Sequence, residues 1–165
     1  MTSSNEYVII GIDPGLMTGM FTWVSTGDPE QMAWHVASGD FASDFWEVMG
    51  GARSIALPED THVAIERYII TPKTAKLSQQ TDALEVTGMA KAVSVLHGNV
   101  DVRQYVKANL KFASDDMLKA VGWYNPKLRH ANDAARQAFA LLKDIDYPRW
   151  SELVRDAKME PTTEG

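Results

Sequence analysis

The segment Tyr7-Val8-Ile9-Ile10-Gly11-Ile12-Asp13 is an almost unbroken apolar run that ends on a carboxylate followed by Pro14-Gly15. A strand with one wet face alternates apolar and polar residues, whereas a continuous β-branched run marks a central strand buried on both faces. Asp-Pro-Gly then signals a turn. Such a strand needs neighbours on both edges and layers on both faces, which confines the chain to a layered architecture. Residues 18–25 and 32–41 read as two further strands, joined through the turn cluster Thr26-Gly27-Asp28-Pro29, and the three predict an antiparallel meander. Residues 61–66 read as a second buried strand, again ending on an acid, Glu66.

The remaining pattern is helical, with one more strand. Ser43 is placed to cap a helix over 44–55, with Phe45, Val48 and Met49 on one face. Pro72 opens a long helix that runs to Leu96 and stops at His97-Gly98-Asn99. A short strand at 100–106 precedes helical segments at 107–112 and 115–122, the latter capped by Ser114. Residues 131–143 form a helix with a small-residue face of Ala134, Ala135 and Ala138. Trp23, Trp34 and Trp46 read as core residues. The order predicts an α/β fold: a mixed five-stranded sheet, an antiparallel meander plus two parallel strands, with helices on both faces.

The length of 165 residues suits one domain, taken as 1–155, with a polar, frayed tail over 156–165. No apolar run is long enough to span a bilayer, and the N-terminus lacks the pattern of a signal peptide. The absence of cysteine excludes disulfides and thiolate metal sites. A cytoplasmic protein is the resulting expectation. The net charge of -6 weighs against a nucleic-acid partner. A carboxylate site is itself acidic, however, and bound divalent cations reverse its sign. The bases also cluster: Lys73 with Lys76, then Arg103, Lys107 and Lys111, then Lys127 and Arg129.

Four residues carry the candidate chemistry. Asp13 and Glu66 end two buried strands, and a parallel pairing presents both carboxylates at one sheet edge, where open α/β sheets place ligands. His130 and Asp133, three apart, share a face at the front of a helix, an imidazole and a carboxylate suited to a divalent cation. Each has a plainer reading: turn former, solvated edge acid, favourable charge at a helix start. Together they fit a two-metal hydrolase acting on a phosphodiester.

Three stretches give the chain a family likeness. Gly11-Ile12-Asp13-Pro14-Gly15 with Thr18-Gly19, then Ala64-Ile65-Glu66, then His130-Ala131-Asn132-Asp133-Ala134, resemble in order the motifs of the RuvC family of Holliday junction resolvases, which have an RNase H-like fold. Arg103-Gln104-Tyr105-Val106-Lys107 resembles that family's strand ending in a DNA-contacting lysine. The likeness spans about residues 7–143. It implies a homodimeric endonuclease that resolves four-way junctions by paired nicks, leaving 5′-phosphate and 3′-hydroxyl ends. It implies two Mg²⁺ ions, replaceable by Mn²⁺, at Asp13, Glu66, His130 and Asp133. DNA contacts are expected from Lys107 and Arg129, with Lys111, Arg103, Lys73 and Lys76. Tyr68 or Ile69 stands where the family carries an aromatic wedge, and Lys111 or Lys119 where it carries a second base. The long helix up to Leu96 is the expected dimer face.

Other readings remain open from sequence. An actin-like or sugar-kinase ATPase also opens on an Asp-x-Gly turn but needs two such lobes. A related nuclease acting on RNA, flaps or general branched DNA shares the same acids. A non-catalytic nucleic-acid-binding descendant would be expected to have lost a ligand position.

Overall fold

The computed structural model describes residues 6–26, 32–72 and 80–159. Its five strands are β1 (Val8–Asp13), β2 (Met17–Val24), β3 (Met32–Ala37), β4 (Thr61–Glu66) and β5 (Val102–Tyr105), in the order β3-β2-β1-β4-β5. β1 to β3 pair antiparallel, whereas β4 pairs parallel to β1 and β5 parallel to β4. The sheet is the mixed one that the pattern predicts. β1 lies at its centre with all six residues buried, as a continuous apolar run requires.

Alternation along the strands divides the core in two. Val8, Ile10, Ile12, Val63 and Ile65 face α1 (Phe41–Ile55) and α2 (Gln80–Leu96), meeting Phe41, Phe45, Met49, Val86 and Ala90. Ile9, Phe21, Trp23 and Ala64 face the opposite layer. That layer is built from α3 (Asp115–Ala120), α4 (Arg129–Ile145) and α5 (Tyr147–Met159), with Ala134, Ala138, Phe139 and Trp123 at its centre.

Several boundaries differ from the sequence expectation. β3 stops at Ala37, and α1 begins at Phe41 rather than after Ser43. Phe41 and Phe45 stack at 5.3 Å and repeat with Met49 and Ala52 at helical spacing, so burial of Phe41 extends the helix by a turn. Residues 107–112 hold only a short 3₁₀ turn, Lys107–Asn109. Ser114 caps α3 as expected, its Oγ accepting from the Met117 N–H at 3.2 Å. α2 ends where expected, with Gly98 and Asn99 in left-handed conformation. The start of the expected long helix, 73–79, lies outside the described residues. The start of the expected tail, from Asp156, is helical as far as Met159. α5 runs past Asp156 to Met159 and packs Trp150, Leu153 and Val154 against the α4 layer. Trp46 is largely exposed on α1, its ring 3.9 Å from that of His97, while Trp23 is buried and Trp34 half-buried.

α4 packs backbone to backbone on the sheet. A methyl group on Gly11 would lie 2.0 Å from the Ala134 carbonyl oxygen, and one on Gly19 would lie 2.0 Å from that of His130. Both positions therefore require glycine, because the helix backbone rests on the strand backbone. Gly51, on α1, has open space instead. Gly19→Ala is expected to cost about 3 kcal/mol or more through forced displacement of α4. Gly51→Ala should stabilise by about 0.5–1 kcal/mol. Urea unfolding of both variants checks the contrast, and a neutral Gly19→Ala would show that α4 does not rest on this strand.

Candidate metal centre

β1 and β4 run parallel, with Ile12 opposite Ile65, so Asp13 and Glu66 follow side by side at the C-terminal edge of the sheet. Ile9, Gly11 and Asp13 alternate onto the α4 face, as do Ala64 and Glu66. Asp13 also pairs across to Gly19, the glycine on which the His130 carbonyl rests. The first turn of α4 therefore lands beside Asp13 and brings His130 and Asp133 to it. The ligand atoms of Asp13, His130 and Asp133 all lie within 4.8 Å of one another. His130 Nδ1 is 2.8 Å from Asp13 Oδ2. Glu66 lines the same cleft, its carboxyl beside that of Asp13.

Two cations brace the cluster. Lys107, just beyond β5, donates from Nζ to Asp133 Oδ2 at 2.9 Å. Arg136, one turn after Asp133, takes Asp133 Oδ1, Asp115 Oδ1 and the Ala113 carbonyl. Both Asp133 oxygens are thus engaged by protein cations. The acids meet in a cleft of about 420 Å³ that is also lined by Tyr68, Leu16, Met17, Lys107 and Arg129. A second cavity of about 430 Å³ adjoins it, sharing Lys107, Arg129 and Asp133 and adding Tyr124, Asn132 and Arg136.

The electrostatics are frustrated. Burial, and then the nearby charge of Asp133, push Asp13 up to about 6. Burial, the hydrogen bond to Asp13 and the charge of Asp13 push Glu66 up to about 7. Burial works against the Lys107 ammonium, but the Asp133 hydrogen bond and the charges of Asp133, Glu66 and Asp13 outweigh it and raise Lys107. Three carboxylates with an imidazole, more negative than their cations neutralise, form a hard oxygen and nitrogen donor set that fits a divalent ion.

Of the residues that sequence singles out, Asp13, Glu66, His130, Asp133, Lys107, Arg129 and Tyr68 line this one cleft. Ile69 is exposed just beyond Tyr68. Arg103 does not come to the cleft. It pairs with Asp101 at 3.6 Å and lines a separate cavity with Glu59, Thr61 and His62. Lys111 and Lys119 are exposed and do not line it, and Lys73 and Lys76 lie outside the described residues. Sequence reasoning missed Arg136, whose i,i+3 spacing from Asp133 is a signal, and His35, which has no local one.

The frustration carries a sign. Asp13 binds its proton more tightly folded than unfolded, so wild-type protein loses stability as pH rises from about 4 through about 6. In chelator, Asp13→Asn should be nearly as stable as wild type at pH 4. It should become more stable by about 2–3 kcal/mol at pH 8, the size of a two-unit shift. Thermal unfolding across pH checks this, and a wild type more stable than the variant at pH 8 would contradict it.

No family model and no curated protein matches the sequence. Solved structures do. Thermus thermophilus RuvC in complex with a Holliday junction substrate superposes with a TM-score of 0.62 at 19% identity, covering 80% of this chain and 90% of that one. The T. thermophilus RuvC structure itself gives 0.61 at 18%, covering 84% and 96%. Among the described residues no helix is long and apolar enough to cross a membrane. The sheet order, the helix layers and these superpositions agree with the likeness carried by the three motifs: the chain has a RuvC-like, RNase H-type fold.

Proposed function

We propose that this protein is a divalent-cation-dependent endonuclease that cuts branched DNA, with four-way junctions as its principal substrate. The observation that carries this reading is the convergence of Asp13, Glu66, His130 and Asp133 at one sheet edge, with Lys107 at the rim. The RuvC neighbour bound to a Holliday junction supports the substrate class. Charge distribution supports it too. Between residues 107 and 136 six bases (Lys107, Lys111, Lys119, Lys127, Arg129 and Arg136) stand against three acids (Asp115, Asp116 and Asp133), in a chain of net charge -6. The cytoplasm is the compartment this reading implies.

In this account Asp13, Glu66, His130 and Asp133 would hold two Mg²⁺ ions, for which Mn²⁺ would substitute. Bound there, the cations would supply charge neutralisation on the reacting phosphodiester and activation of the attacking water. Water oxygen attacks phosphorus, the bond to the 3′ oxygen breaks, and that oxygen leaves as the 3′-hydroxyl while the phosphate stays on the 5′ end. Lys107 and Arg129 hold phosphate oxygens at the rim. Arg136 keeps Asp133 oriented when Lys107 turns to the DNA.

Exposed Leu16 and Met17 line the mouth with Tyr68, and exposed Ile69 and Ile70 follow Tyr68 in the chain. In this reading Tyr68 or Ile69 takes the place of the aromatic wedge, with the aliphatic side chains beside it forming a lip suited to unstacked bases. Paired nicks need two active centres, which a twofold homodimer supplies. The outer face of α2 suits that role. Leu84 is 47%, Val95 58% and Leu96 70% exposed, and Gly88 between them leaves open space for a second helix.

The test is cleavage of labelled four-way junction, three-way junction, flap and duplex DNA in Mg²⁺ and in Mn²⁺. Symmetric paired nicks on the four-way junction are expected, with cleavage lost by about 10³-fold or more in Asp13→Asn. Cutting of flaps and three-way junctions at equal rates would make the protein a broader branch-directed nuclease. No metal-dependent cutting of any substrate would overturn the reading.

A further inference from the structure

His35 lies in β3 opposite Gly19, and Gly19 lies opposite Asp13. One row across the sheet therefore carries an imidazole, a glycine and the central carboxylate, all on the α4 face. α4 rests on the glycine, with the His130 carbonyl directly above it. The first N–H groups of a helix have no partner within it. Here the N-cap residue, Leu128, supplies no side-chain acceptor. Instead the Ala131 N–H donates to His35 Nε2 at 3.3 Å. The same ring meets the His130 ring edge to face, with centroids 5.5 Å apart at 65°. His130 in turn holds its Nδ1 2.8 Å from Asp13 Oδ2.

We propose that His35 is a positioning residue for this site: by accepting the Ala131 N–H and packing against the His130 ring, it sets where the first turn of α4 and the His130 imidazole stand relative to Asp13. The inference rests on the metal-binding reading of the cluster and adds to it a residue that touches neither cation nor DNA. The bond defines the tautomer. With its Nε2 lone pair committed to Ala131, His35 carries its proton on Nδ1. The two contacts act on adjacent residues of one helical turn, so they fix both the height of that turn over Gly19 and the rotation of His130. No other side chain in the described structure caps the start of α4 in this way; Asn132 is tied to the backbone of Asn125, holding the preceding loop. Groups that orient a ligand without touching the metal typically affect affinity by about 10–100-fold.

The experiment compares wild type with His35→Ala, His35→Phe and His35→Gln. Phe keeps the ring but not the acceptor, and Gln places an acceptor oxygen near the position of Nε2. Mn²⁺ affinity is measured calorimetrically on folded protein, at a temperature below every variant's melting transition, beside the melting temperature in chelator. His35→Ala is expected to weaken Mn²⁺ binding by about tenfold, His35→Phe by somewhat less, and His35→Gln to return within about threefold of wild type. If His35→Ala proves too unstable to measure, the Phe and Gln pair carries the comparison. A lowered melting temperature with unchanged Mn²⁺ affinity in both Ala and Phe variants would reduce His35 to a plain helix cap and overturn the proposal. Equal losses in Gln and Phe would overturn it as well. Wild-type protein that binds no Mn²⁺ would instead remove the metal-site reading on which the proposal stands, and His35 with it.

Discussion

The structure depends on one contact, the seating of α4 directly on the β1–β2 backbone across Gly11 and Gly19. A helix normally stands off a sheet by the thickness of two layers of side chains. Here the sheet contributes none at those two positions, and the helix contributes alanines, Ala134 and Ala138. The approach is close enough for Asp133 and His130 to reach a carboxylate that sits on the strand itself. Any side chain at position 19 would lift the first turn of α4 and open the cluster. The glycines do not serve as flexible joints; they are absent side chains that let two rigid elements share a site, so the geometry is imposed by packing rather than by loops.

The second constraint is electrostatic and runs against the first. Close seating buries three acids beside one another and raises Asp13 and Glu66 far above ordinary carboxylates. Lys107 and Arg136 offset part of this by engaging the two oxygens of Asp133, which leaves the carboxyls of Asp13 and Glu66 facing one another. A purely structural cluster would gain from replacing one acid by an amide. Unfavourable charge gathered at a sheet edge, in a cleft, is what the proposed divalent-cation site requires of the fold.

Much of this was legible in the residues. Two buried strands ending in Asp13 and Glu66 could be read because continuous β-branched runs have few other uses, and their parallel pairing follows from the two strands and one helix, β2, β3 and α1, that connect them. His130 and Asp133 could be read from spacing. What escaped sequence reasoning depends on partners distant in the chain. Phe41 resembles a strand end until Phe45 and Met49 are seen on the same buried stripe. Arg103 looks like part of a basic strand leading to Lys107, but it pairs with Ala64, one face-repeat back from Glu66, and with Asp101 it lines a cavity toward the start of β4. Trp46 has the composition of a core residue yet sits on the outer seam between α1 and α2. α5 begins at Tyr147-Pro148, in a stretch where the sequence pattern predicts no element; proline is tolerated in a first turn, and Trp150, Leu153 and Val154 supply the stripe that holds the helix to α4. His35 is an unremarkable strand residue until the register places it beside Gly19 and Asp13.

The central claim, that α4 and the sheet edge together form a divalent-cation site, is tested most directly by anomalous diffraction from crystals grown with Mn²⁺. The account predicts manganese density in the cleft bounded by Asp13, Glu66, His130 and Asp133, absent in crystals of Asp13→Asn. An empty cleft at millimolar Mn²⁺, with Lys107 still bonded to Asp133, would contradict it.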